Sequence, residues 1–86
     1  MIKIGYTPAF SRQLNKLEGL LAEEVIQKID LFKDPKNHYL LKVHKLHGRL
    51  KDRFSYYINY KIRIVFCYVS KNEVILMAVG DHDVYK

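Results

Sequence analysis

The chain has 86 residues, 49% apolar and 28% charged, which is enough for one core over residues 1–86, too little for two, and the wrong composition for a disordered tail. Its formal charge is +6, and the excess sits in one place: residues 36–63 carry eight basic residues against Asp52 alone, a local +7, with three histidines besides. Charge concentrated in this way favours an anionic partner, either nucleic acid or an acidic protein segment, over the bland alternative of a solvated basic loop.

Ile2, Ile4 and Tyr6 alternate with Lys3 and Gly5, which predicts a short strand over residues 1–6. The opening Met1-Ile-Lys-Ile-Gly breaks too soon for a signal peptide, and no apolar run approaches the ~20 residues of a membrane span. A cytoplasmic protein with no membrane partner is therefore expected. Thr7-Pro8 supplies an N-cap residue and a proline at the first helical position. Phe10, Leu14 and Leu17 then form one apolar stripe, predicting a helix ended by Gly19. A second helix is predicted from about Leu20 to Lys33, with Leu21, Val25, Ile29 and Phe32 on its core face and Asp34-Pro35 as its stop. The short joint between them makes an antiparallel helical hairpin.

Residues 34–42 read as a loop leading into the stretch around which the chain is organised, residues 44–66. This stretch opens with a turn rich in Lys, Arg and His. Phe54, Tyr56 and Ile58 then share one face of a strand, with Arg53, Ser55 and Tyr57 on the other. After Asn59-Tyr60 the alternation resumes, placing Ile62, Ile64, Phe66 and Tyr68 opposite Lys61, Arg63, Val65, Cys67 and Val69. Two such strands make an antiparallel pair with one greasy side and one side that starts out cationic. Cys67 is the only cysteine, so it makes no internal disulfide and reads as a small buried hydrophobe. Ser70-Lys71-Asn72-Glu73 is a turn, residues 74–79 form an apolar strand covered on much of both sides, and Gly80 ends it. The predicted class is α+β, in the order β-α-α-β-β-β: an antiparallel sheet with a two-helix hairpin packed on one face and the other face open.

Several residues suit chemistry on that open face. Arg63 offers a planar fork of donors matched to phosphate oxygens, against the alternative of a surface strand residue paired with a carboxylate. His82 follows a strand end, between Asp81 and Asp83, and imidazole exchanges protons near neutrality. Tyr85 can stack on a base or bond a sugar hydroxyl, or simply cover an edge. His44 and His47 lack the further ligands that zinc needs, and Asp81 and Asp83 are too few to hold magnesium securely, so no metal and no cofactor is expected. No glycine-rich phosphate loop and no Ser-His-Asp or Cys-His arrangement can be read from the spacing.

Taken together, the strand–helix–helix–strands order, Leu46-His47-Gly48 before the hairpin, Tyr60-Lys-Ile-Arg63-Ile-Val-Phe66 and the closing Gly80-Asp-His82-Asp-Val-Tyr85 resemble the RelE/ParE toxin superfamily along essentially the whole chain. The resemblance implies the RelE-like microbial RNase fold. It also implies a type II toxin: a ribosome-dependent mRNA endonuclease that acts on mRNA in the A site of the 70S ribosome and is neutralised by a small antitoxin. Arg63 matches the arginine that contacts the scissile phosphate. His44, in His-x-Leu-x-Gly, and His82, in Gly-x-His, match histidines of the YafQ-like branch, and Tyr85 falls at the family's closing aromatic. Lys45, Lys51, Arg53, Tyr57 and Lys61 are the RNA-binding candidates. The departure is Ser55 and Tyr57, where RelE itself carries two strand lysines; Lys51 and Arg53 stand nearby to supply that charge. Two alternatives follow from the same resemblance: a ParE-like inhibitor of DNA gyrase, and a weakly active or inactive homologue that acts mainly as antitoxin-binding partner and corepressor.

Overall fold

A computed structural model describes residues 1–85. Strand β1 (Lys3–Tyr6) leads into helix α1 (Pro8–Asn15), whose N-cap Thr7 accepts the Phe10 N–H at 3.1 Å and donates its own hydroxyl proton to the Met77 carbonyl at 3.1 Å. One threonine thus caps a helix and ties it to residue 77, seventy positions later in the chain. Helix α2 (Gly19–Phe32) begins with Gly19; it is not preceded by it as a C-cap. Glu18 accepts the Leu20 and Leu21 N–H groups, so the orphan donors of the second helix decide where the joint falls. Gly48, with φ of 71°, is the one glycine in the left-handed region among the described residues.

Four further strands follow: β2 (His44–Lys45), β3 (Phe54–Tyr57), β4 (Arg63–Ser70) and β5 (Glu73–Gly80), with short 3-10 turns at Pro35–Asn37, Gly48–Leu50 and His82–Tyr85. The sheet order is β1-β5-β4-β3-β2. All neighbours are antiparallel except β1 and β5, which run parallel from Lys3↔Glu73 to Tyr6↔Leu76. The expected antiparallel sheet is thus present, with this one parallel pair added at its edge. The helical hairpin carries the chain from β1 to the opposite edge, and the later strands return across the sheet until β5 takes β1 as its parallel neighbour. The β3–β4 connection is also longer than Asn59-Tyr60. It spans residues 58–62, with Asn59 Oδ1 accepting both the Lys61 and Ile62 N–H groups, at 2.8 and 2.7 Å.

The core lies where both stripes and the greasy sheet face meet: Phe10, Val25 and Phe32 from the helices against Tyr56, Ile64, Phe66 and Leu76. Phe32 is the pivot. Its ring stacks on Tyr56 at 4.6 Å and on His38 at 4.5 Å, both at 8°, and meets the edge of Phe66 at 4.8 Å. Among the described residues no helix is long and apolar enough to cross a membrane.

The Tyr56 hydroxyl is buried in this core without a hydrogen-bond partner among the described residues, and burial pushes its pKa well above the ordinary ~10. An unmade bond of this kind costs about 1–3 kcal/mol, so Tyr56→Phe is expected to match or exceed the wild-type midpoint in urea. The folded state holds the tyrosine neutral. Its contribution is therefore intact below the unfolded pKa of ~10 and is lost as pH rises beyond it. The phenylalanine variant should show a flatter alkaline decline, and a lowered midpoint would show that the hydroxyl is bonded after all.

Candidate nucleic-acid interface

The sheet face away from the helices carries the candidate residues, and its register explains which of them meet. His44 pairs with Ser55, Ser55 with Val65 and Val65 with Ala78; one step along, Tyr57 pairs with Arg63 and Arg63 with Gly80. Directly opposed residues share a face. One row therefore brings His44 and Ser55 together, and the next brings Tyr57 and Arg63 together.

Arg63 meets two aromatic rings, with its guanidinium carbon 5.1 Å from the centre of Tyr57 and 5.4 Å from that of Tyr85. Its Nε is buried without a hydrogen-bond partner, and it makes no ion pair among the described residues. The carboxylate-paired surface arginine, the plainer of the two sequence readings, is not what the fold contains. Ring faces hold a guanidinium flat by cation–π attraction while leaving its charge uncompensated. His44 continues the array, its ring stacked on Tyr57 at 5.7 Å. His44 Nδ1 lies 2.8 Å from the Lys42 carbonyl. A carbonyl only accepts, so Nδ1 carries the proton, and in the neutral ring Nε2 keeps a free lone pair. Lys42 presents that carbonyl from a left-handed backbone (φ 59°), a conformation unusual for a side-chain-bearing residue.

The face is not open throughout, as the alternation suggested. The 3-10 turn His82–Tyr85 lies across it against β4 and β5, and beneath it Ser55 and Val65 are only 0% and 2% exposed. Ser55 Oγ and the Tyr85 hydroxyl are 2.9 Å apart. His82 sits on the same turn, with its side chain 74% exposed and Nε2 4.0 Å from Asp83. Asp81, His82 and Asp83 place one potential ligand atom each within 4.8 Å of one another. The Asp81 carboxylate is engaged with the Asp83 N–H at 2.9 Å, a self-capped turn.

The RNA-binding candidates divide. Tyr57 belongs to the array. Arg53 reaches across to the Met77 sulfur at 2.8 Å, a contact that leaves its charge uncompensated. Lys45 pairs with Phe54 and so projects on the helix side of the sheet, away from His44. Lys51 ends the Gly48–Leu50 turn and Lys61 lies in the 58–62 connection, both exposed.

A groove of about 640 Å³ opens beside Arg63. Lys28, Leu31, Leu40, Lys42, Tyr57 and Tyr60 are among its walls, which carry three cations and no carboxylate among the described residues. Nothing in the sequence sets Lys28, Lys42 and Tyr60 beside one another. A helix lysine and two loop residues share no period, and only folding sets them beside Arg63.

No protein-family model matches the chain, and no curated protein matches it. Solved structures do. The RelBE2 toxin–antitoxin complex from Mycobacterium tuberculosis superposes with a TM-score of 0.75 at 20% identity, covering 94% of this chain and 98% of that one. A conserved hypothetical protein from Helicobacter pylori gives 0.70 at 24%, covering 96% and 97%. YafQ from E. coli gives 0.61 at 13%, covering 99% and 98%. The α+β arrangement of two helices on an open five-stranded sheet is thus the RelE-like toxin fold that the motifs resemble.

Proposed function

We propose that this chain, carrying the RelE-like toxin fold, is the toxin of a type II toxin–antitoxin pair and cuts messenger RNA in the ribosomal A site. The observation that supports this reading best is Arg63, set against the rings of Tyr57 and Tyr85 with His44 stacked on Tyr57 and no ion pair among the described residues. An uncompensated planar cation flanked by aromatic faces and an imidazole suits a phosphate between two bases.

In the reaction, the 2′-oxygen of a ribose attacks the adjacent phosphorus. The 2′-O–P bond forms and the P–O5′ bond breaks, leaving a 2′,3′-cyclic phosphate and a 5′-hydroxyl. His44, with Nδ1–H donated to Lys42 and Nε2 free, takes the 2′-hydroxyl proton. His82, exposed on the closing turn, gives a proton to the departing 5′-oxygen. Arg63 stabilises the phosphorane charge, Arg53 and Lys51 hold the strand, and Tyr85 orients the nucleotide. A small acidic antitoxin would oppose this activity by covering the same basic surface.

Expression without a partner protein tests the reading. Growth arrest should be accompanied within minutes by transcripts with new 5′-hydroxyl ends inside ribosome-protected codons, and His82→Ala should relieve both. Arrest with intact transcripts and damaged DNA would replace the nuclease with a gyrase inhibitor.

A second reading has its own observation. Ser55 stands where RelE has a strand lysine, and its hydroxyl is engaged with Tyr85. A protein with that charge missing would act mainly as an antitoxin-binding corepressor, and unimpaired growth on induction would select it.

A further inference from the structure

We propose that Ser55 is a positioning residue. Its hydroxyl latches the C-terminal turn onto the sheet and thereby sets the Tyr85 ring against Arg63. Ser55 lies in the middle of the sheet, between His44 on β2 and Val65 on β4, and is 0% exposed although its face points away from the helices. What covers it is the turn His82–Tyr85, and a side-chain hydrogen bond joins turn to sheet: Ser55 Oγ with the Tyr85 hydroxyl at 2.9 Å. The turn is shaped to reach that bond. Asp81 folds it by accepting the Asp83 N–H through its carboxylate and the Val84 N–H through its carbonyl. Gly80, the cross-strand partner of Arg63, leaves the space into which Val84 packs; a Cβ there would meet Val84 Cγ1 at 3.0 Å. With the turn seated, Tyr85 brings a second ring to Arg63 at 5.4 Å, beside Tyr57 at 5.1 Å. The guanidinium has a buried, unbonded Nε and no ion pair among the described residues, so freeing one ring loosens the cation. The serine that departs from the family's lysine pattern acquires a role in its own right.

The claim about geometry stands without the nuclease reading; only its effect on cleavage rests on that reading. The test uses the full chain. The Arg63 Nε–H resonance should be shifted by the ring currents of both tyrosines, and Ser55→Ala should move it towards the value of a free arginine. Tyr85→Phe, which removes the same hydrogen bond from the other end, should move it by a similar amount, and the double variant should move it no further. In cleavage assays both variants should lose about tenfold to a hundredfold in kcat with KM nearly unchanged, since the phosphate is still bound and only its orientation is lost. An Arg63 resonance identical in wild type and Ser55→Ala, with both folded, overturns the latch. A shifted resonance in a chain that cuts no RNA keeps the latch and removes the nuclease.

Discussion

Arg63→Ala is expected to abolish growth arrest and to lower cleavage about 10²–10³-fold, the loss typical of removing one preorganised charge-stabilising donor. The substitution deletes the only cation in the aromatic clamp, whose guanidinium carbon lies 5.1 Å and 5.4 Å from the two ring centres. Lysine should not rescue it. A flexible ammonium keeps the charge but loses both the planar fork and the stacking that holds it flat, so Arg63→Lys should recover no more than about a tenth of the activity. Stability is the control. Arg63 makes no ion pair among the described residues and its Nε is unbonded, so circular dichroism and the melting temperature should stay close to wild type. Full toxicity in a folded alanine variant would end the proposal that this face grips a phosphate.

That Arg63 should face away from Ile64 is legible in the period-2 pattern; that Tyr57 lies directly across from it is set by the longer 58–62 connection. Local chemistry was equally readable elsewhere. Thr7-Pro8 begins a helix because a hydroxyl and a missing N–H both suit an N-terminus, and Asp34 caps the turn that ends the second helix at 3.0 Å from the Lys36 N–H. What escaped is whatever depends on distant segments meeting. Val65 was placed on the polar face by parity and does lie there, yet it is buried because a turn seventeen residues later folds over it. The parallel pairing of β1 with β5 joins residues at opposite ends of the chain and leaves no periodic trace. Gly19 was assigned as a stop because glycine often ends helices, whereas the carboxylate of Glu18 made it a start. Lys45, an RNA-binding candidate, follows His44 directly, and one step of register puts it on the other side of the sheet. The basic segment was correctly identified by composition. Which of its cations converge was not, because that is set by register and by the closing turn.

Phe32→Ala is expected to remove a large part of the stability of the protein and to loosen the site with it. Deleting a buried phenylalanine costs about 3–5 kcal/mol, while an 86-residue chain has only about 4–13 kcal/mol to lose. The upper part of that cost applies here because Phe32 is fully buried and touches three rings at once: Tyr56 and His38 in parallel stacks at 4.6 and 4.5 Å, and Phe66 edge-on at 4.8 Å. Each such pair adds about 0.5–1.5 kcal/mol beyond area burial. Phe32 also closes α2, and His38 Nε2–H donates to its carbonyl at 2.8 Å, so the same residue holds the loop that leads to His44. Loss of the ring therefore loosens β3, β4 and the approach to β2 together, the strands that carry Tyr57, Arg63 and His44. Leu31→Ala one position earlier is the comparison: Leu31 is 38% exposed and makes none of these stacks, so its cost should stay near 1 kcal/mol. Urea titrations of the two variants decide the matter. A Phe32→Ala midpoint within error of the Leu31→Ala midpoint would mean that the stack contributes little. A fall of several kcal/mol at an unchanged m-value would identify it as the element that fixes the sheet beneath the clamp.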